Sequence, residues 1–216
     1  ANVHFPALGV GWKAVDHRTA ARVVGRFLCE ALIKAASHYG LDVQDASVAR
    51  LLIEDNAVVG VVVDGEEIRA GKVAIAGGAW SESFGEQLNV TIPVAPQRGQ
   101  IIHLQLDGQE TVDWCVVHPF RGHYMLARED GRVIVGATRE TGSGFDTRTT
   151  ASGIRDVLDE ALRVAPGLTG AKLLEIRVGL RPNTVDKLPI LGTVPGIDNI
   201  YLATGHGASG LQLGPY

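Results

Sequence analysis

A change of texture partway along the chain, followed by a change back, limits the possible folds more than any other feature. Ala20, Val23, Val24, Phe27, Leu28, Ala31, Leu32 and Ala35 recur at threes and fours. That spacing predicts an amphipathic helix, opened by Asp16 and stopped by Gly40. Strand-like runs follow at 48–54, 57–63, 66–70 and 72–76, with Asp55-Asn56 and Asp64-Gly65 between them as turn signals. From Ile92 the pattern becomes strands and turns alone, through PVAPQRGQIIHLQL, WCVVH, GHYMLAR and RVIVGAT, which reads as an antiparallel meander. A second amphipathic helix passes through Ile154, Val157, Leu158, Ala161 and Leu162 and stops before Pro166. Residues 172–180 read as a strand ending in Arg181-Pro182, and 199–204 as a short strand entering a glycine-rich turn. The predicted fold class is α/β (α+β), with a discontinuous domain wrapped around an inserted one whose sheet is mostly antiparallel.

Composition narrows the function classes. The 216 residues suit one to two domains and a sizeable core. Twenty basic against twenty-four acidic residues leave a net charge of −4, which predicts no nucleic-acid surface. No apolar stretch approaches the ~18 residues of a membrane span, and ANVHFPALGVGW has neither a basic n-region nor an apolar h-region. Cys29 and Cys115 form no metal or redox pair and are expected to be buried thiols in a reducing, cytoplasmic compartment. With no initiator methionine, and a helix seeming to begin at the last residues, the chain is expected to be a fragment. Glycine, at 27 of 216 residues, is well above the usual ~7%. Turns or close approach of backbone to a ligand would each account for the surplus.

Several short motifs bear on chemistry. Gly205-His206-Gly207-Ala208-Ser209-Gly210 matches G-x-G-x-x-G after a predicted strand. It lacks a following βαβ unit and an acidic residue some twenty positions on, so it does not read as a primary dinucleotide fingerprint. A glycine turn leading into a helix still offers free N–H groups to an anion or an electron-rich ring; a turn with no ligand is the plainer alternative. The same segment nearly forms a G-x-S-x-G elbow, with no downstream acid and His to complete a serine hydrolase. Arg181, in Gly179-Leu180-Arg181-Pro182, suits a bidentate grip on a carboxylate, or is simply a surface or turn arginine. Tyr124, mid-strand in GHYMLAR, reads as a core residue with a satisfied hydroxyl. The histidines, His103, His118 and His123 among them, show no metal spacing and are expected to be structural or solvent-facing, with no metal site.

In combination, KVAIAGGAWS, PVAPQRGQ, HYMLAREDGRVIVGAT, VGLRPNTVDKLPILG and NIYLATGHGASGLQLGP resemble the flavin-dependent D-amino-acid oxidase family. Its glycine oxidase, sarcosine oxidase and D-amino-acid dehydrogenase members look nearest. The resemblance implies a Rossmann-type FAD-binding domain, here 1–86 and 183–216, interrupted by a substrate domain, here 87–182. It implies non-covalent FAD, since no cysteine lies near GLRP or GHG. It further implies cofactor contacts at Val48, at Gly77, Gly78, Ala79 and Trp80, and at Gly205, His206, Gly207, Ala208, Ser209, Gly210, Leu211 and Gln212. Arg181 is similar to the family's carboxylate clamp and Tyr124 to its hydroxyl partner. The implied activity is oxidation of the C–N bond of glycine, a small D-amino acid or an N-methyl amino acid, by hydride transfer to flavin N5. A small amino acid or amine is the implied partner, and a homo-oligomer is allowed. Because the family's N-terminal pyrophosphate loop is not in this chain, weak or absent FAD binding by the chain alone is expected. The alternative is a module that kept the fold and lost the chemistry.

Overall fold

The computed structural model describes residues 3–15, 17, 21–119 and 121–214. It is a mixed α/β chain whose contacts separate into two compact units. Unit 1 comprises Ala1–Leu28, Arg98–Glu140 and Phe145–Gly179, and unit 2 comprises Cys29–Gln97, Thr141–Gly144 and Leu180–Tyr216. The first 28 residues therefore group with the middle of the chain, where the sequence suggested the first segment. The reason is packing: Phe5 and Ala7 are buried in unit 1's core, and Phe5 lies 4.8 Å from the ring of Trp114.

The first helix, α1 (Gly25–His38), is shorter than the 3.6-residue pattern predicts. Residues 21–24 are not helical, and Asp16 and Ala20 lie outside the described residues. None of the residues of α1 is buried, so Cys29 is exposed, as is Cys115. That corrects the expectation of two buried thiols. Its cause is local: Cys29 sits on a helix with no buried face, and Cys115 in an irregular segment held by a backbone bond to His4.

In unit 2, β1 (Val48–Glu54), β2 (Ala57–Val63) and β3 (Glu66–Arg69) form an antiparallel sheet. Both turns formed as expected, with left-handed backbone at Asp55, Asn56, Asp64 and Gly65. A second sheet is made by β4 (Val73–Ile75), then β10 (Ile190–Thr193) and β11 (Ile200–Thr204), in the order β10–β11–β4. Here β11 runs parallel to β4 and antiparallel to β10. Leu51, Val58, Ile75, Ile92, Ile200 and Leu202 are buried together as this unit's core.

A third sheet comprises β5 (Val94–Gln105), β6 (Tyr124–Ala127), β7 (Arg132–Gly136), β8 (Glu140–Thr141) and β9 (Lys172–Thr184), of which residues 94–97, 141 and 180–184 group with unit 2 and the rest with unit 1. The order is β6–β7–β5–β8, with β9 also on β5. It is antiparallel where β5, β6 and β7 meet, but it is not a meander, because β5 pairs with β7 rather than with its successor β6. The WCVVH segment contributes only a bridge at Val117. Helix α2 (Ala151–Val164) covers one face, capped by the Thr150 hydroxyl, which accepts from the Gly153 amide. Val157, Ala161 and Val164 pack there on Ile102, Met125, Val133 and Val135.

One buried charge site stands out on the other face. His103 is 1% exposed, and neither of its ring nitrogens has a hydrogen-bond partner among the described residues; Nδ1 lies 3.4 Å from Glu175 Oε1. Burial and the positive charge of Arg177, with Arg132 and Arg128 adding to it, hold the imidazole below its ordinary value of 6.5; Glu175 opposes them. The unfolded chain takes up this proton at a higher pH than the folded one. Between the two values the folded state binds fewer protons, so this contribution to stability is complete above pH ~6.5 and declines below it. Urea midpoints measured from about pH 7.5 down to 5 are expected to fall, and His103→Leu to flatten that slope. An unchanged slope in the variant would assign the dependence to other groups.

Candidate functional site

Two glycine turns leave the same edge of the parallel pair in unit 2. With Leu202 opposite Ile75, the carboxyl end of β4 runs into Gly77-Gly78 and that of β11 into Gly205. The carboxyl ends of adjacent parallel strands are where open α/β sheets place their ligands. Gly78, Gly205 and Gly207 have φ values of 55°, 77° and 53°, in the left-handed region that side chains resist. A Cβ on Gly205 would stand 2.7 Å from Thr184 Cγ2, so this turn is pressed against its neighbours. At Gly78 a Cβ would meet open space, so glycine is required there by backbone conformation rather than by room.

The turns are pinned from below by hydroxyls. Ser81, fully buried, donates to Thr204 Oγ1 at 3.0 Å, and Thr204 donates to the carbonyl of Gly78 at 2.9 Å. The Gly207 amide donates to the carbonyl of Pro182 at 2.9 Å, and Thr184 donates to the carbonyl of Leu188. Ser81 belongs to a 3-10 helix over Gly78–Phe84, in which Ala79 is buried and Trp80 is 58% exposed. Past the second turn, Ser209 precedes a single helical turn, α3 (Gly210–Leu213), with Leu211 exposed.

The structure thus gathers Gly77, Gly78, Ala79 and Trp80 with Gly205, His206 and Gly207. Val48 begins β1 in the other sheet of this unit, and its side chain is exposed. Arg181 lies inside β9 rather than past its end, because the strand continues through Pro182 to Thr184. Tyr124 opens β6 in unit 1. The residues that sequence reasoning passed over are Ser81 and Thr204. Their only signal was adjacency to the glycines, and a hydroxyl pair 123 residues apart leaves no local pattern.

Thr204→Val keeps shape and removes the hydroxyl, stranding the Ser81 hydroxyl and the Gly78 carbonyl in a buried site. A loss of about 1–3 kcal/mol of stability is expected, with weaker retention of any ligand at the turns. Thermal unfolding and equilibrium dialysis against FAD check both; unchanged values would remove the pinning role.

A second polar network, in unit 1, comes from the PQRGQ segment. Arg98 donates to Glu140 Oε2 from Nη2 at 2.7 Å, and its Nη1 lies 2.9 Å from Asp146 Oδ2. Gln100, fully buried, donates to Glu140 Oε1 and to Thr150 Oγ1. Burial works against ionised Glu140, but hydrogen bonds from Thr138, Gln100 and Arg98 outweigh it and hold the carboxyl below its usual range. Bonds from Arg148 and then Arg98 do the same for Asp146. This network ties the 138–150 segment to β5. Among the described residues there is no cluster able to hold a metal, and no helix is long and apolar enough to cross a membrane.

Glycine turns at the carboxyl ends of adjacent parallel strands are where α/β folds receive a nucleotide-type cofactor. The chain belongs to the DAO family of FAD-dependent oxidoreductases, whose family model matches residues 4–216. It is 41% identical to the uncharacterized oxidoreductase YurR of Bacillus subtilis, over 98% of this chain and 57% of that protein. It is 33% identical to a glycine oxidase of Pseudomonas aeruginosa, over 97% of this chain and 57% of that one. Among solved structures, iminodiacetate oxidase from Chelativorans sp. BNC1 is similar at 42% identity with a TM-score of 0.95, covering 99% of this chain and 58% of that one. The chain therefore spans a little over half the length of these relatives.

Proposed function

We propose that the intact protein oxidises the C–N bond of a small amino acid, glycine or N-substituted glycine with non-covalently bound FAD. The observation that carries this reading is the pair of glycine turns at the carboxyl ends of β4 and β11, locked together by Ser81, Thr204 and the Gly78 carbonyl. Such turns bring backbone N–H groups close to a flat ligand without a side chain in the way. Residues 77–80 and 205–212 would hold the cofactor, with the backbone of Val48 serving its adenine side. When bound, FAD supplies a hydride acceptor at N5 for the hydrogen on the substrate α-carbon.

The chain's own contribution is orientation. Arg181 grips the carboxylate, and the Tyr124 hydroxyl assists. Loss of hydride from the neutral amine leaves an iminium ion, which water hydrolyses to the oxo acid with release of ammonia or the amine. Neither residue needs to move a proton, in keeping with a sequence in which no catalytic dyad is legible. Similarity to an iminodiacetate oxidase adds N-carboxymethyl amines to the substrates worth testing.

The test is spectroscopic. The intact protein is expected to purify yellow, or to take up added FAD, and to bleach anaerobically with glycine, sarcosine, D-alanine or iminodiacetate. Peroxide release in air marks an oxidase; turnover only with a quinone or artificial acceptor marks a dehydrogenase. Failure to bind FAD at all would overturn the reading in favour of a module without chemistry.

A further inference from the structure

Tyr124 has a cross-strand partner that the proposed reaction leaves unused. Val117 and Met125 exchange both backbone hydrogen bonds, each 2.8 Å, which sets His118 directly opposite Tyr124. Residues so paired project to the same face. Met125 is buried against α2, so Tyr124 and His118 project to the opposite face, with ring centroids 6.3 Å apart. On the other flank of Tyr124 stands Gly136, followed by Ile101. A Cβ on Gly136 would come within 2.6 Å of Ile101 Cγ2 and 3.5 Å of Tyr124 Cζ, so the phenol ring lies over a glycine and His118 borders it on the remaining side.

The segment that carries this ring is basic, and Glu160 of α2 lines the small cavity next to Tyr124. From His118 to Arg128 every ionisable side chain other than Tyr124 is basic: His118, Arg121, His123 and Arg128. Carboxylates on α2 answer two of them, with Glu160 3.8 Å from Arg121 and Asp156 3.7 Å from His123. Arg139 is not so answered. Its Nη1 lies 2.5 Å from where a Cβ of Gly122 would stand, so the guanidinium rests on the turn two residues before Tyr124. Among the described residues it makes no ion pair. A half-exposed aromatic with His118 opposite it, Arg139 on the turn two residues before it and no acid between His118 and Arg128 is chemistry that favours an anion.

We propose that His118, with Arg139 on the neighbouring turn, forms a subsite beside Tyr124 for a second carboxylate, so that the preferred substrates are amino dicarboxylates of the N-carboxymethyl glycine type. The proposal rests on the reading above that Tyr124 faces the substrate. It assigns His118 a specificity role, through contact with the substrate's second acidic arm.

Iminodiacetate and sarcosine make the decisive pair, since both are N-substituted glycines and only the first has a second carboxylate. In the intact, flavin-loaded protein, kcat/KM is expected to favour iminodiacetate. The ratio of the two kcat/KM values is expected to fall about 5–20-fold in His118→Ala, mainly through KM for iminodiacetate. His118→Gln, which fills similar space without the ionisable imidazole, is expected to lose nearly as much, and the flavin spectrum of each variant reports that the fold is retained. A wild-type protein without preference, or an unchanged ratio in both variants, overturns the subsite while leaving the oxidoreductase reading intact. Flavin that neither amine reduces overturns both.

Discussion

Replacing Arg181 by alanine in the intact protein is expected to lower kcat/KM for carboxylate-bearing amines by about 10–150-fold. That range corresponds to one charge-assisted hydrogen-bonding contact of ~1.5–3 kcal/mol between guanidinium and carboxylate. Its place in the chain explains why position matters as much as charge. Arg181 sits in β9 immediately before Pro182, whose carbonyl accepts the Gly207 amide at 2.9 Å. The backbone carrying the guanidinium is thus tied to the glycine turn proposed to meet the cofactor, so the two are held in one local frame within unit 2. Arg181→Lys keeps a point charge without the planar fork and is expected to recover only part of the loss. Steady-state kinetics on glycine and sarcosine, with flavin content measured alongside, check the effect. Unchanged turnover in Arg181→Ala would remove the arginine from substrate binding altogether.

What the sequence made legible, and what it did not, follows from how far each signal reaches along the chain. The turns at Asp55-Asn56 and Asp64-Gly65 are decided by residues that tolerate left-handed backbone, so they could be read directly. The same holds for α2, whose apolar stripe and Pro166 stop are local. Gly205 and Gly207 were marked by the G-x-G-x-x-G spacing and Gly78 by the family resemblance, and all three have left-handed backbone. Strand pairing was not legible: β5 bypasses β6 to join β7, a choice made by side chains some thirty residues apart. The short strand β10 went unnoticed because four residues carry too little alternation. Pro182 looked like a stop, yet β9 continues through it. In the site, Arg181 and Tyr124 stood out through short motifs. The hydroxyls of Ser81 and Thr204, and the pairing of His118 with Tyr124, required the fold to bring distant segments together.

Gly153→Ala is expected to destabilise the protein by about 2–4 kcal/mol, against the direction that helix propensity predicts. In an exposed helix the change would gain ~1 kcal/mol. Here Gly153 is buried in the first turn of α2, and a Cβ would fall 2.1 Å from Gln100 Nε2 and 2.7 Å from its Cδ. That amide is a hub: it donates to Glu140 Oε1 at 2.7 Å and to Thr150 Oγ1 at 2.9 Å, and it accepts from the Thr150 amide at 3.0 Å. Moving it aside leaves Glu140 Oε1 with the Thr138 hydroxyl at 2.6 Å but without the Gln100 amide, and loosens the cap that starts the helix. The overpacking and the unmet hydrogen bonds together exceed the propensity gain. A fall in Tm of about 5–10 °C is expected by calorimetry. Gln100→Ala is itself destabilising but clears the space, so adding Gly153→Ala to it should cost far less than adding it to the native protein. That non-additivity is the signature of direct contact. If Gly153→Ala were neutral or stabilising in the native background, the glycine would be incidental and Gln100 would not be the residue that fixes the start of α2.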